Sequence, residues 1–404
     1  MRSVAVVGAG IVGLAVARRI SQQWPGCRVT VLDKEPTVAA HQTGHNSGVV
    51  HAGLYYPPGS LKATLCARGR DLLRTYCLNR GLPYREVGKL VVAVEATELD
   101  GLAEIEHRAR ANGVPGLRRL GPDGIREVEP AVVGAAALHS PRTAVTDFAA
   151  VARAFADDVR GEGGQVLLGT EVVGVRREPT GVRLRTRGDG APAEHLVAEH
   201  VVLCGGLQTD RLARLAGDRA APAIVAFRGE YLEVLAHRRD LVRGLVYPVP
   251  DPAYPFLGVH LTRRVDGGLD LGPNAVLALA REGYRWRDVD PADLAEVLRW
   301  PGFRALARRH WRTGLSEMAG SLSRRRFVER ARRYVPSLSV DDVVPGVAGV
   351  RAQAVDADGT LVDDFRIHTL GRVTAVRNAP SPAATSSLAI AEHVVAAMRG
   401  AEGP

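Results

Sequence analysis

Lysine is nearly missing from this sequence. Of 53 basic residues only Lys34, Lys62 and Lys89 are lysines, and the rest are arginines. A GC-rich coding sequence, which favours arginine codons, accounts for most of that bias. Aromatic residues make up 5% of the chain, and the arginines are dispersed rather than grouped with stacking rings. No nucleic-acid recognition module is visible, so a nucleic acid is not an expected partner. The four cysteines, Cys27, Cys66, Cys77 and Cys204, form no CxxC pair and no metal-type spacing with histidine. That excludes a disulfide frame and predicts buried thiols in a reducing compartment, with no metal site. No run of about 18 apolar residues occurs, so no membrane-spanning helix is expected. The opening Met1-Arg2-Ser3 runs straight into a strand-like segment without the regions of a signal peptide. The expected location is cytoplasmic.

The sequence is otherwise of ordinary globular composition, with 404 residues, 46% of them hydrophobic and 24% charged. This length suits two or three domains. A net charge of +9 leaves three anionic partners open: a membrane surface, a nucleic acid or an acidic substrate.

The most informative pattern is at the start. Val4-Ala5-Val6-Val7 is fit for a buried parallel strand. Gly8-Ala9-Gly10-Ile11-Val12-Gly13 follows, then a helical stretch from Leu14 to about Gln23. A second apolar strand, Arg28 to Leu32, ends at Asp33. In such a βαβ unit the first glycine allows the tight turn, the second lets a pyrophosphate approach, and the third lets the helix lie on the sheet. The helix N-terminus offers free N–H groups to phosphate, and an acid at the second strand's end accepts hydrogen bonds from a ribose. A dinucleotide site is therefore expected; the pattern does not choose FAD over NAD.

His41 to Pro58 is a long polar loop, and loops of this length in compact folds are usually functional. Helices are predicted over about Ser60–Asn79, Thr97–Asn112 and Asp147–Arg160. In the last of these Phe148, Val151, Ala152, Phe155 and Val159 share one face. Strands are predicted over Gly88–Val94, Gln165–Leu168, Glu171–Arg177, Gly181–Thr186, His195–Cys204, Val225–Leu235, Gly244–Val249 and Phe256–Thr262. From about Pro291 to Tyr334 the pattern is helical and basic. Phe303, Leu306, Ala307, Trp311, Leu315, Met318 and Leu322 recur at three- and four-residue steps among seven arginines from Arg304 to Arg326. That segment reads as a surface helix with its apolar face on the core, or as one lying on an anionic membrane.

The sequence resembles the L-2-hydroxyglutarate oxidase/dehydrogenase family of FAD enzymes, within the D-amino-acid-oxidase-like (glycine oxidase) superfamily. The resemblance covers nearly the whole chain. It rests on the block His41 to Tyr56 (HQTGHNSGVVHAGLYY), on Pro58 to Ala63, on Phe227-Arg228-Gly229-Glu230-Tyr231 and on Tyr247 to Pro252. It continues through Pro255 to His260, Leu271 to Ala275, Gly349 to Gln353 and Asn378 to Ser386. Pro57 departs from the family, where a lysine is common.

The resemblance implies an α/β flavoprotein with an FAD-binding domain of Rossmann type. An interleaved mixed α+β, mainly antiparallel-sheet substrate domain would accompany it. Residues 1–80, 145–215 and 345–404 would form the first domain, and 81–144 and 216–344 the second. Gly8, Gly10, Ile11, Val12, Gly13, Asp33 and Lys34 would hold the ADP half, with Val172 beside the adenine and Gly205 and Gly206 at the pyrophosphate. Thr43, His45, Asn46, Ser47 and Gly48 would line the isoalloxazine. Pro380, Ala383, Ala384, Thr385 and Ser386 would open a helix facing the flavin pyrimidine. FAD is expected to be bound noncovalently, an 8α-histidyl link through His51 being the alternative.

Oxidising a 2-hydroxy acid removes a hydride from Cα and a proton from the hydroxyl. A neutral histidine is the natural acceptor for that proton. His51, in the polar loop, is the first candidate, and His260 the second. Arg228, Arg351 and Lys62 are candidates for the carboxylates of a dicarboxylate substrate, since arginine matches a carboxylate with paired donors. Tyr55, Tyr56 and Tyr247 are candidates for further hydrogen bonds to it. The expected activity is FAD-dependent oxidation of L-2-hydroxyglutarate or a close 2-hydroxy acid, with electrons passing to oxygen or to a membrane quinone. For a quinone, the protein would dock peripherally on the inner face of the membrane. Alternatives are a glycine- or sarcosine-type amine oxidase, a biosynthetic flavin oxidase acting on a related hydroxyl, and, remotely, a nucleic-acid-binding flavoprotein. The oligomeric state is not readable.

Overall fold

A computed structural model describes residues 1–190, 195–250, 258–321 and 323–400. Its first sheet is built around Ser3–Val7, which pairs in parallel with Arg28–Leu32 on one side and His200–Leu203 on the other. Gln165–Leu167 adds beyond Arg28–Leu32. Val373–Asn378 adds beyond His200–Leu203, with Arg366–Leu370 antiparallel at the edge. These central strands are apolar on both faces because both faces are covered. Helices Ile11–Gln23, Phe148–Gly161 and Ala383–Gly400 pack on one face. A small antiparallel sheet of Glu171–Glu178, Gly181–Arg187 and His195–Ala198 covers the other.

The second large sheet is antiparallel except where Leu245–Pro248 runs parallel to Lys89–Ala93. Its longest members, Ala223–Val234 and Val343–Val355, pair along most of their length. The architecture is thus the expected one, a Rossmann-type parallel sheet and a mainly antiparallel second sheet. The large cavity is lined from both of them.

The predicted helices form where capping and periodicity place them. Ser60 caps Leu61–Asn79 by accepting the Ala63 N–H, and Asp147 caps Phe148–Gly161 by accepting that of Ala150 at 2.9 Å. Phe148, Val151, Ala152, Phe155 and Val159 are all buried. Full burial of a ring such as Phe155 stabilises by roughly 1.5–3 kcal/mol.

Three expectations are corrected. His195–Cys204 is not one strand. His195–Ala198 joins the small antiparallel sheet, while His200–Leu203 enters the parallel one. The chain changes sheets at Glu199, whose N–H donates to the Ser3 carbonyl. The basic segment is helical, but as Pro291–Arg299, Pro301–Ser321 and Arg324–Arg332. Its apolar stripe does not run unbroken to the core. His310 interrupts the helical backbone, and beyond it Trp311 is 56% and Met318 44% exposed. Finally, only Cys66 and Cys77 are buried, Cys27 and Cys204 being partly accessible. Phe256 and Leu257, the start of one expected strand, and Leu322 lie outside the described residues.

Candidate active site

A cavity of about 980 Å³ runs from the glycine turn to His51. Gly8, at φ +113°, makes the turn, and a Cβ there would sit 2.3 Å from the Cys204 carbonyl oxygen. At Gly13 a Cβ would come within 2.0 Å of the Gly8 oxygen, so only glycine lets the helix lie this close to the strand. Gly10 precedes the helix in extended conformation without a side-chain cap. Ile11 donates its N–H to Thr43 Oγ1 at 3.0 Å. The N–H groups of Val12 and Gly13, which an isolated first turn leaves without helical acceptors, belong to residues on the cavity wall.

Asp33 does two local jobs at this end. Its oxygens accept the N–H of Ala9 at 2.6 Å and of Glu35 at 2.9 Å, tying the second strand to the glycine turn. Burial pushes its carboxyl up from the ordinary range against those two bonds. Lys34 lines the cavity, but its ammonium is held by Glu35 at 2.6 Å and Glu282 at 2.7 Å. Val172, Gly205 and Gly206 line the same end.

Thr43, His45, Asn46 and Ser47 line the middle, and Gly48 turns the loop just outside it. His45 stacks on Tyr284 with centroids 4.3 Å apart and bonds the His41 carbonyl through Nδ1. Asn46 holds the loop by donating to the Thr43 carbonyl and accepting from Gly48 N–H. Ala383, Ala384 and Thr385 close the wall from the last helix, whereas Pro380 and Ser386 lie behind it. Thr385 Oγ1 accepts the His51 N–H at 3.1 Å, joining the two ends of the chain at the site.

His51, Arg228 and Arg351 converge on the far end. The two arginines come from paired strands, with Phe227 opposite Arg351 and Arg228 opposite Val350. Arg228 is 1% exposed. One of its nitrogens donates to Glu230 at 3.1 Å, and its guanidinium lies 4.4 Å from the Trp286 ring centroid. Among the described residues its Nε and Nη1 find no acceptor. Buried donors without acceptors are costly, and a carboxylate on the ligand is the group that would meet this charge. Arg351 opens onto the cavity, and the protein packed around it pushes its guanidinium down from its usual range. Burial first, then the charges of Lys89, Lys62, His260 and Arg351, push His51 down to about 3, so its imidazole is neutral at neutral pH.

The remaining candidates stand behind this wall rather than on it. Lys62 is paired with Asp363 at 2.7 Å and lies over the Tyr56 ring. His260 stacks on Tyr247 at 3.7 Å, and its Nδ1 donates to the Gly258 carbonyl at 2.8 Å, which leaves Nε2 as an acceptor. Burial pushes His260 down to about 3 as well. The buried Tyr55 hydroxyl has no partner among the described residues. Sequence reasoning missed Lys89, whose ammonium lies 3.5 Å from the Tyr247 centroid and 4.6 Å from that of Tyr55. The available signal was a rare lysine opening an apolar strand, Lys89-Leu90-Val91-Val92.

The glycine cradle, the helix N-terminus and the volume of the cavity fit FAD. A profile of the family described as DAO, FAD dependent oxidoreductase, matches residues 3–397. The chain belongs to this family. Its relatives include the mitochondrial L-2-hydroxyglutarate dehydrogenase of Nematostella vectensis, 46% identical over 97% of this chain and 89% of that one. The L-2-hydroxyglutarate dehydrogenase of Escherichia coli K12 is 41% identical over 96% and 91%. Among solved structures, the FAD-bound L-α-glycerophosphate oxidase of Mycoplasma pneumoniae has a TM-score of 0.80 at 21% identity, covering 99% of this chain and 95% of that one. Glycine oxidase of Geobacillus kaustophilus has a TM-score of 0.72 at 20% identity, covering 98% and 95%. These two share the fold.

Proposed function

We propose that this protein oxidises L-2-hydroxyglutarate, or a close 2-hydroxy acid, to the 2-oxo acid. One juxtaposition carries the reading: a neutral histidine and a buried, incompletely paired arginine face the same cavity as a dinucleotide cradle. FAD, when bound along this cavity, would supply the hydride acceptor for substrate C2. The protein's residues do the rest. Arg228 and Arg351 hold carboxylate oxygens and so orient C2. His51 takes the hydroxyl proton as the C–O bond becomes a carbonyl. The names of the relatives supply the substrate class.

Anaerobic mixing with a panel of substrates tests this. L-2-hydroxyglutarate should bleach the visible flavin band, and glycine and sarcosine should not. Bleaching by the amines alone would overturn the reading. His51→Asn should lower kcat by roughly 10²–10⁴-fold, the range for a general base. Arg228→Met should lower kcat/KM by about 10²-fold through loss of a charge-assisted bond.

For the electrons we propose a quinone at a membrane surface. In support, Trp311 and Met318 are exposed on a helix that also exposes Arg304, Arg308, Arg309 and Arg312. Co-sedimentation with anionic liposomes at low salt should weaken in Trp311→Ala; no co-sedimentation removes the proposal.

A further inference from the structure

Lys89 is 2% exposed, and among the described residues no carboxylate pairs with it. Its partners are rings. The ammonium lies 3.5 Å from the Tyr247 centroid, and the His260 imidazole stacks 3.7 Å from the same centroid. Two groups that close to one ring cannot share a face, so Tyr247 is held between a lysine and a histidine. Tyr55 closes over the lysine at 4.6 Å.

The strand that carries Lys89 lies against the segment that carries His51. Val91 and Ala93 pack with Ala52 and Leu54, and Tyr247 packs with Val49. Burying an ammonium without a counter-charge is costly, and a methionine or leucine would fill the space without that cost. The residue is also a lysine in a chain that uses arginine almost everywhere else. Arginine keeps its charge under all ordinary conditions, whereas a desolvated lysine can release a proton.

We propose that Lys89 is a positioning residue for the proton transfer: from behind the cavity wall its charge adds to burial in disfavouring the protonated form of His51, and so extends to lower pH the range in which that imidazole accepts the hydroxyl proton. The charges that act most strongly on His51 are cationic: Lys89, Lys62 from the helix Leu61–Asn79, and Arg351, with the His260 ring beside them and Asp363 set against Lys62. Lys62 is neutralised by Asp363, which leaves Lys89 as the charge that His51 feels most strongly. Desolvation also pushes Lys89 down to about 7. The cluster therefore changes charge near neutrality at the lysine rather than at either histidine. In the oxidation the hydroxyl proton goes to His51, and FAD, when bound, would take the C2 hydrogen with its electron pair.

This inference rests on the proposed activity, but its test reads His51 directly. Holoenzyme labelled with [13C-ε1]histidine, with His51→Asn for assignment, is titrated by NMR. In wild type the His51 resonance should not titrate above pH 5. In Lys89→Met its midpoint should rise by about one unit or more, as removal of a like charge requires. The acid limb of kcat/KM should move to higher pH by the same amount. A midpoint and acid limb that both stay in place in the folded, flavin-loaded variant would overturn the proposal.

If Lys89→Met does not accumulate as holoenzyme, wild type labelled with [13C-ε]lysine decides, since only three lysine signals arise. One should titrate near neutrality, and His51 should show a step at the same midpoint. Independent titrations count against the coupling. An enzyme inert to L-2-hydroxyglutarate whose His51 still responds to Lys89 would sink the substrate reading alone.

Discussion

At the scale of single residues, Gly8, His51 and His260 make the sharpest claims. Gly8→Ala places a Cβ against the Cys204 carbonyl at a positive φ. Strain of about 1–3 kcal/mol is expected, enough to weaken FAD binding roughly 5- to 150-fold. The absorbance ratio of flavin to protein after purification checks it. The histidines predict acid lability. Unfolded histidine titrates near 6.5, whereas burial holds folded His51 and His260 at about 3. Between those values the unfolded chain binds more protons, so stability is complete above pH 6.5 and falls as pH drops below it. Each histidine contributes at most about 1.4 kcal/mol per pH unit. The melting temperature should fall less between pH 7 and 5 in His260→Gln than in wild type. The glycine turn was legible because its chemistry is local. Lys89 was marked only by its rarity and its apolar strand, because the rings that surround it, Tyr55 and Tyr247, come from distant segments.

At the scale of elements, the sequence reveals those whose periodicity and caps agree. Ser60 and Asp147 begin helices as N-cap chemistry predicts. The break at Glu199 was not legible, since HLVAEHVVL reads as one apolar run. Only the pairing partners, with Gly181–Arg187 for one half and Ser3–Val7 for the other, divide it. Helix contacts of this kind were equally hidden. Gly69 lies where the helix Leu61–Asn79 meets the last helix, and a Cβ there would fall 2.5 Å from Ser386 Cα. Gly69→Ala should therefore destabilise by about 1–3 kcal/mol, the usual cost of overpacking. Because Thr385 is the next residue, it should also loosen the His51 contact. Urea unfolding and flavin content together check this.

At the scale of the molecule, the site is a seam between the two sheets. The ADP end belongs to the parallel sheet, while Arg228 and Arg351 come from the antiparallel one. A ligand spanning the seam should stabilise both halves together. FAD added to apoprotein at 100 times its Kd should contribute about 2.7 kcal/mol, seen as a rise in melting temperature of a few degrees. An unchanged melting temperature would contradict that arrangement. The fold class was legible in the sequence because the opening βαβ unit and the long strands carry it. The alignment of Lys62 with Asp363 rather than with the cavity was not, since those residues meet only after some 300 positions of chain have folded.

Thr385 has a consequence for synthesis. The wall it completes emerges from the ribosome after every other segment that lines the cavity. A nascent chain can display the glycine turn early, but it has no closed vessel for the flavin until that final helix docks. Cofactor capture is thereby deferred until that helix is made and docked, and chains cut short before residue 385 should be found empty, however much of them has already folded.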